Sequence, residues 1–277
     1  MVWILTATTS STLSPTDSIA IAGLAGRMGR TLFELANESG LSVSGGTEAP
    51  GSPALGEALT IGSASLTPVA EPAMAAQSAT VWIDFTRPAA TLSALDALRD
   101  TGVRGVVIGT TGFSEAETDA IAAAADRFAI VKAGNFSLGI ALLCALTKQA
   151  ATALGSDWDI DILETHHRHK IDAPSGTALM LGEAAAEGRG TSLKALKSAP
   201  YEGPDAKRVP GEIGFAVRRT GGVIGEHDVL LANTREAITL SHKALDRAVF
   251  ADGALQAARW VAAQPPGLYT IQDVLGL

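Results

Sequence analysis

The sequence has little of several features that mark other classes of protein. Its 277 residues include one cysteine, Cys144, so no disulfide can form within the chain, as expected for a reducing, cytoplasmic compartment. Cys144 lies in an apolar stretch and is predicted to be a small buried hydrophobic residue rather than a nucleophile. No apolar run reaches the roughly 18 residues that a membrane helix needs. We therefore expect a protein that does not associate with membranes.

Basic residues are also scarce. Lys and Arg number 21 against 29 Asp and Glu, which gives a formal net charge of -8. A nucleic-acid-binding protein normally carries a basic face, so no nucleic-acid partner is expected, although a local basic pocket for an anionic substrate stays possible. Charged residues make up only 18% of the chain and glycines number 29, which favours a compact α/β protein with many tight turns.

The first half of the chain alternates between strand and helix patterns. Apolar, partly β-branched runs predict strands at residues 18–22, 41–44, 79–85, 104–109 and 128–131. Helical spacing and capping signals predict helices at residues 31–39, 88–100 and 114–127. Repeated βα units of this kind predict a doubly wound, Rossmann-like parallel sheet.

The pattern changes after about residue 137. A long apolar helix at 138–154 precedes a strand at 158–164 and a helix that begins near Thr177, and three strand-like stretches then follow without helices between them. This order predicts a second, α+β domain with a mainly antiparallel sheet. The predicted division is a flexible extension at 1–17, a first domain at 18–137 plus 246–277, and a second domain at 138–245.

Three glycines, Gly23, Gly26 and Gly29, lie between the first strand and the first helix. Glycines let backbone N–H groups approach a pyrophosphate, and a helix N-terminus favours its negative charge. Ala25 occupies the place of the second Gly in the commoner G-x-G-x-x-G motif, so a plain glycine turn stays open as an alternative. Glu48 lies shortly after the second predicted strand and is a candidate for the acid that holds the ribose hydroxyls. An ordinary loop carboxylate is the other interpretation.

A histidine-rich run at 164–170 contains three of the five histidines of the chain. His166 and Lys170 are four positions apart, a spacing that puts both on one face of either a helix or a strand. Such a pair can bind carboxylates and donate a proton. A solvated basic patch and a zinc site are the alternatives. The helix start that follows, in residues 172–178, favours an anion-binding site.

Three polar, glycine-containing loops follow predicted strands, at residues 84–87, 109–112 and 133–137. In an open α/β sheet, ligands lie outside the carboxyl ends of the strands. These loops therefore fit a nicotinamide and its ribose.

Taken in chain order, these motifs resemble the dihydrodipicolinate reductase (4-hydroxy-tetrahydrodipicolinate reductase) family from about Ser18 to Leu277. The matching segments are residues 23–30, 84–88, 109–113, 135–137, 164–170, 172–178, 208–211 and 225–227. The most specific part is His-His-Arg-His-Lys at 166–170 followed by Asp-Ala-Pro-Ser-Gly-Thr at 172–177.

The resemblance implies an activity and an assembly. It implies a dinucleotide-binding first domain, to which the C-terminal tail returns, and a substrate domain whose sheet helps to build a homotetramer. The implied reaction is reduction of 4-hydroxy-tetrahydrodipicolinate by NADH or NADPH with loss of water, in lysine and diaminopimelate biosynthesis.

The resemblance also implies roles for individual residues. His166 and Lys170 match the catalytic pair, with Lys170 as the proton donor, and no metal ligand is implied. Contacts with substrate carboxylates are implied for His167, Gly176 and Thr177. Cofactor contacts are implied for Gly23, Leu24, Ala25, Gly26, Arg27, Met28, Glu48, Gly109, Thr110, Thr111, Ala133, Gly134, Asn135 and Phe136.

Ala49 follows Glu48 at the position where members that accept NADPH often carry a basic residue. A 2′-phosphate would meet the Glu48 carboxylate with no local cation, so we predict a preference for NADH. Three other functions stay open: a related reductase acting on another imine or amino-acid derivative, a nucleotide-binding regulator without catalysis, and a zinc hydrolase.

Overall fold

The computed structural model describes residues 17–277. The predicted extension at residues 1–17 lies outside the described residues, apart from Asp17. The chain divides into two compact units. The first contains the described residues up to Phe136 together with Phe250–Gly276, and the second contains Ser137–Val249 together with Leu277.

The strands described within residues 17–277 are β1 (Ile19–Ala22), β2 (Val43–Thr47), β3 (Leu59–Ile61), β4 (Ala64–Leu66), β5 (Val81–Asp84), β6 (Gly105–Ile108), β7 (Ala129–Lys132), β8 (Asp159–His166), β9 (Ile213–Arg219), β10 (Gly225–Ala232), β11 (Ala237–Ala244) and β12 (Gly267–Tyr269). The helices described there are α1 (Arg27–Glu38), α2 (Pro72–Ala75), α3 (Pro88–Ala97), α4 (Glu115–Ala124), α5 (Leu138–Leu154), α6 (Gly176–Gly188), α7 (Leu193–Leu196), α8 (Ala248–Val261) and α9 (Ile271–Leu275).

The first unit is built on a six-stranded sheet in the order β12-β7-β6-β5-β1-β2, and all its paired strands are parallel. Strands β1, β5 and β6 are buried along their whole length, because a parallel sheet is covered on both faces. The strands that follow β1 in the chain lie on both of its sides, β2 on one and β5 on the other. The carboxyl ends of β1 and its neighbours therefore form a topological switch point. The Rossmann-like fold predicted from the βα alternation is confirmed.

The boundaries differ from the predictions where packing overrides local signals. Helix α1 begins at Arg27 rather than Thr31, and β2 runs to Thr47 rather than ending at Ser44. The predicted capping box of α4 is present, with Ser114 and Glu117 satisfying each other's backbone N–H groups. The short elements β3, β4, α2, α7, β12 and α9 were not predicted, because three to five residues carry too little periodicity.

The second unit contains a four-stranded sheet in the order β11-β10-β8-β9. Strand β10 is antiparallel to β8 and to β11, and only β8 and β9 are parallel. The sheet is therefore mainly antiparallel, as predicted, with one parallel pair that was not predicted. Its core joins Ile160, Ile162 and Val229 of the sheet to buried residues of α5 and α6.

Helix α5 spans the predicted residues and begins at Ser137, whose hydroxyl accepts a hydrogen bond from the Ile140 N–H. Cys144 on this helix is buried, as predicted, and burial raises the pKa of its thiol to about 11. Between residues 17 and 277, no helix has both the length and the hydropathy required to cross a bilayer.

Candidate active site

The turn after β1 brings backbone groups together at the start of α1. Gly23 has a φ of 65°, a conformation that glycine adopts without strain. A Cβ atom on Gly29 would lie 2.2 Å from the Gly23 carbonyl oxygen, so the helix packs against the turn only because residue 29 is glycine. The N-cap, Gly26, makes no side-chain hydrogen bond to the first turn of α1. Because no side chain covers the backbone at this turn, a dinucleotide pyrophosphate can come close to the start of α1.

The Glu48 carboxylate lies against the same turn. Its Oε1 accepts a hydrogen bond of 2.7 Å from the Ala25 N–H, and the neighbouring Thr47 carbonyl accepts one of 2.9 Å from the Leu24 N–H. The structure thus brings Glu48 together with residues 23–28, all of which were predicted to contact the cofactor. A carboxylate beside the glycine turn is where a dinucleotide-binding fold holds the ribose hydroxyls.

The carboxyl ends of four neighbouring strands lie in one register. Ala22 pairs with Asp84, Asp84 with Ile108, and Ile108 with Lys132. The glycine turn and the three loops predicted to surround the nicotinamide therefore begin side by side at the switch point. In this way the sheet brings residues 109–111 and 133–136 to the edge that also carries Gly23.

Asp84 organises two of these loops. Its buried Oδ1 accepts hydrogen bonds from the Thr86 N–H at 2.9 Å, the Thr86 hydroxyl at 2.6 Å and the Thr110 hydroxyl at 3.1 Å. Because the Thr110 hydroxyl is engaged by Asp84, a cofactor contact from Thr110 would come from its backbone. The sequence singled out the loop that starts at Asp84 but not this side chain.

Two aromatic rings support the loops from inside the unit. Phe85 stands edge-to-face on Phe136, with ring centroids 5.3 Å apart. A Cβ atom on Gly109 would overlap the Phe85 ring, so this packing requires glycine there. Phe136, a predicted cofactor contact, is itself buried.

In the second unit, a buried carboxylate orients the first predicted catalytic residue. His166 ends β8, and its Nδ1 lies 2.5 Å from Oε2 of Glu164, whose side chain is fully buried. Burial alone raises the pKa of Glu164, but hydrogen bonds from Arg219, His166 and the Ser175 N–H outweigh it and hold the pKa below its usual value. An ionised carboxylate only accepts, so Nδ1 of His166 carries the hydrogen and Nε2 is left as the acceptor.

The second predicted catalytic residue lies on a turn. The chain leaves the strand after His166, and the Lys170 N–H donates to the His167 carbonyl at 3.1 Å. Residues 166–170 therefore adopt neither of the two geometries, helical or extended, that the spacing allowed. The Lys170 ammonium pairs with the Asp172 carboxylate at 2.8 Å, and this hydrogen bond is the main reason that the pKa of Asp172 is lowered.

Ser175 begins helix α6 and connects it to the same cluster. Its hydroxyl accepts from the Ala178 N–H at 3.2 Å and lies 3.2 Å from Nε2 of His227. Gly176 and Thr177 form the first turn of α6, so the N-terminal end of this helix lies beside the cluster. A Cβ atom on Gly176 would meet no other atom within 4 Å, which leaves room for a ligand.

Two histidines of the second unit, His227 and the predicted substrate contact His167, have lowered pKa values. The His227 ring stands 5.1 Å from the His166 ring, and burial is the main reason that the pKa of His227 is lowered to about 4. Partial burial and the charge of Arg247 lower the pKa of His167. In the part of the chain from residue 17 to 277, no group of three or more His, Cys, Asp or Glu residues is arranged to hold a metal ion.

Comparisons with known proteins cover both units. The family model described as "Dihydrodipicolinate reductase, N-terminus" matches residues 18–136, and the one described as "Dihydrodipicolinate reductase, C-terminus" matches residues 139–275. The chain belongs to the dihydrodipicolinate reductase family. This membership, and with it the predicted nicotinamide-dependent oxidoreductase of lysine biosynthesis, is confirmed.

Individual relatives of the family agree. A protein of Parvibaculum lavamentivorans named 4-hydroxy-tetrahydrodipicolinate reductase is 52% identical, over 94% of this chain and 97% of the relative. A protein of Caulobacter vibrioides with the same name is 48% identical, over 95% and 99%. The structure of dipicolinate-bound dihydrodipicolinate reductase from Paenisporosarcina sp. TG-14 matches with a TM-score of 0.74 at 23% identity, over 93% of this chain and 99% of that one.

Sequence reasoning missed the charged partners that surround the two catalytic candidates. Glu164 lies in the histidine-rich run, but the sequence pattern predicted no role for it, and Arg219 and Arg247 were not singled out. Arg219 is 55 residues from Glu164, so no local spacing links the two. The one local signal for the Glu164–His166 contact is their separation of two positions. This separation places both side chains on one face of β8, which continues two residues beyond the predicted strand.

Proposed function

We propose that this member of the dihydrodipicolinate reductase family carries out the reaction named by its curated relatives, with NADH as the preferred cofactor, Lys170 as the proton donor and His166 as its catalytic partner. The observation that carries the proposal is the cluster at the end of β8, which joins His166 through Glu164 to the start of α6. The bound nicotinamide supplies the hydride, and the protein supplies orientation and charge.

The substrate is a dicarboxylate, and the cluster offers several cationic and N–H groups. The start of α6 at Gly176 and Thr177 suits one carboxylate, because a helix N-terminus favours negative charge. His167, with Arg247 nearby, suits the same kind of ligand. The related Paenisporosarcina enzyme binds dipicolinate, a planar dicarboxylate of the same class.

Lys170 is the group best placed to deliver a proton. Asp172 holds its ammonium at 2.8 Å and places a negative charge beside it. A bound dicarboxylate adds charge of the same sign. His166, oriented through Nδ1 by Glu164, presents Nε2 as an acceptor for a substrate proton or a water molecule.

The cofactor sites are residues 23–28, Glu48, 109–111 and 133–136, as the resemblance implied. Glu48 lies beside the glycine turn and is followed by Ala49 and Pro50, which bring no positive charge. A 2′-phosphate at this point would meet the carboxylate without a counter-ion. This is the basis for the proposed NADH preference.

The homotetramer is proposed for the sheet of the second unit. Leu230 on β10 is 38% exposed and lies on the sheet face opposite to that of Val229 and Leu231, which are buried in the core. A large apolar residue exposed on this face suits an interface with other copies of the chain. Light scattering after size-exclusion chromatography measures the assembly.

The cytoplasmic location stays a prediction from the single cysteine.

The activity is tested by a coupled assay. Pyruvate and aspartate semialdehyde, with the upstream synthase, generate the substrate in place, and NADH oxidation is followed by absorbance. Fast oxidation that requires the synthase is the expected result. Protein that binds NADH but shows no oxidation of either cofactor would contradict the proposal and favour a related reductase or a nucleotide-binding regulator.

A further inference from the structure

Glu164 is a buried carboxylate whose acceptor sites are all used. Oε1 accepts from the Ser175 N–H at 3.0 Å and from Nη2 of Arg219 at 2.8 Å. Oε2 accepts from Nδ1 of His166 at 2.5 Å and from Nη1 of Arg219 at 2.8 Å. A carboxylate offers about four lone-pair sites, so Glu164 has none left.

Arg219 is saturated in the same way. Besides its two bonds to Glu164, it donates from Nε to the Lys170 carbonyl at 3.3 Å, from Nη2 to the Asp172 carbonyl at 2.6 Å and from Nη1 to the Arg218 carbonyl at 2.8 Å. A guanidinium has five N–H groups, and each has an acceptor here. Arg219 lies at the end of β9, where it pairs in parallel register with His166.

We propose that Glu164 and Arg219 form one positioning unit that sets the imidazole tautomer of His166 and fixes the backbone at Lys170 and Asp172. Apart from the Arg218 carbonyl, every group that the pair binds belongs to the site: the His166 ring, the Lys170 and Asp172 carbonyls, and the Ser175 N–H that starts α6. This inference rests on the proposed function, since it assigns the pair to the residues proposed to act there.

The physical chemistry of buried ion pairs supports a positioning role. Apolar residues of similar volume often stabilise a fold as well as a buried ion pair does, so stability alone gives weak reason for one. A bidentate guanidinium–carboxylate pair instead adds directional restraint. Here the restraint acts on atoms from β8, the 167–172 turn, the start of α6 and β9 at once.

The variant Arg219→Ala tests the unit, and Arg218→Ala is its matched control. Arg218 is the preceding residue on β9, is exposed and donates to the Thr165 hydroxyl at 3.0 Å instead. We expect Arg219→Ala to lower kcat on the order of 10²-fold or more, as removal of orienting partners does elsewhere. Millimolar guanidinium ions should restore part of kcat, whereas sodium chloride at equal ionic strength should not. Arg218→Ala should stay within about twofold of the wild type in kcat, because its contacts lie outside the site.

The variant Glu164→Gln tests the tautomer directly and needs no substrate. Glutamine has one acceptor oxygen where glutamate has two, so Arg219 and His166 compete for it. Nitrogen-15 NMR of labelled histidine should show protonated Nδ1 at His166 in the wild type and loss of that state in Glu164→Gln. The His166→Asn variant assigns the signal. NADH affinity, measured by fluorescence titration, should not change, since the cofactor residues lie in the first unit.

Removing one partner leaves a buried charge and endangers folding, so a charge-neutral double variant is included. Glu164→Gln/Arg219→Met leaves no unpaired charge and keeps an acceptor for the Ser175 N–H. We expect it to fold and bind NADH but to keep the low kcat, because the Lys170 and Asp172 carbonyls still lack their guanidinium partner.

The inference would be overturned if Nδ1 of His166 stayed protonated in Glu164→Gln, or if the double variant kept wild-type kcat. An equal loss of kcat in Arg218→Ala and Arg219→Ala would overturn it as well. Failure of the proposed function has a different signature: wild-type protein that binds NADH but shows no synthase-dependent oxidation. The NMR measurement then still decides the tautomer.

Discussion

The two candidate sites are built from different materials. The candidate dinucleotide site of the first unit consists mainly of backbone groups and glycines that follow parallel strands, with the Glu48 carboxylate beside the glycine turn. The site of the second unit consists of charged side chains that contact one another inside the fold, around Glu164 and Arg219. A site made of backbone groups requires that the ligand can come close to the main chain, whereas a site made of side chains depends on charge and hydrogen-bond direction. Substitutions should therefore affect cofactor affinity and turnover separately.

The largest difference between the effect on turnover and the effect on cofactor affinity is expected for Lys170→Ala. Loss of the proton donor should lower kcat by about 10²- to 10⁴-fold, because general acids typically contribute that much. The dissociation constant of NADH should stay unchanged. Steady-state kinetics and NADH titration measure the two effects, and Lys194→Ala on α7 is the control. Unchanged turnover would remove Lys170 from the catalytic role.

The second unit should also show its own pH dependence of stability through His227. The pKa of this ring is about 4 in the folded chain against an ordinary 6.5, so between these values the unfolded chain binds more protons. Stability should fall as the pH drops from about 6.5 to about 4, by roughly 3 kcal/mol in total. Denaturant unfolding should show a flatter dependence for His227→Gln than for the wild type. The exposed His169→Gln control should keep the wild-type slope.

The converse of the Lys170 experiment is Gly29→Ala in the first unit. The new Cβ would lie 2.2 Å from the Gly23 carbonyl oxygen and displace the turn, which we expect to cost about 1–3 kcal/mol of stability. NADH should bind at least about tenfold more weakly, as measured by fluorescence titration. Gly102→Ala is the control, because its Cβ would meet no atom closer than 3.8 Å. Wild-type NADH affinity in Gly29→Ala would argue against a dinucleotide in this turn.

The smallest effect is expected from Ala49→Arg, which tests the role of Glu48 in the preference for NADH over NADPH. A guanidinium next to this carboxylate would give a 2′-phosphate a counter-ion, so kcat/KM for NADPH relative to NADH should rise about tenfold, or about 1.4 kcal/mol. Ala49→Gln is the neutral control. A higher kcat/KM for NADPH than for NADH in the wild type would already contradict the proposed preference.

The sequence predicted the first unit more completely than the second. Strands β1, β5, β6 and β7 and the alignment of their loops followed from apolar runs that end in glycine or polar residues, a local signal. The start of α1 could not be predicted from such a local signal, because it depends on how closely Gly29 packs against Gly23. In the second unit the strands were predicted, but the parallel pairing of β8 with β9 was not, since strand direction depends on contacts between distant segments.

The sequence by itself determined the βα order, the glycine turn, the histidine-rich run and membership of the family, because each is written in contiguous residues. Only the tertiary structure decided which side chains meet. Arg219 and Glu164 are 55 residues apart, and His227 and Ser175 are 52 apart. Their pairing, and with it the tautomer of His166, arises because buried polar groups must find hydrogen-bond partners wherever the fold brings them together.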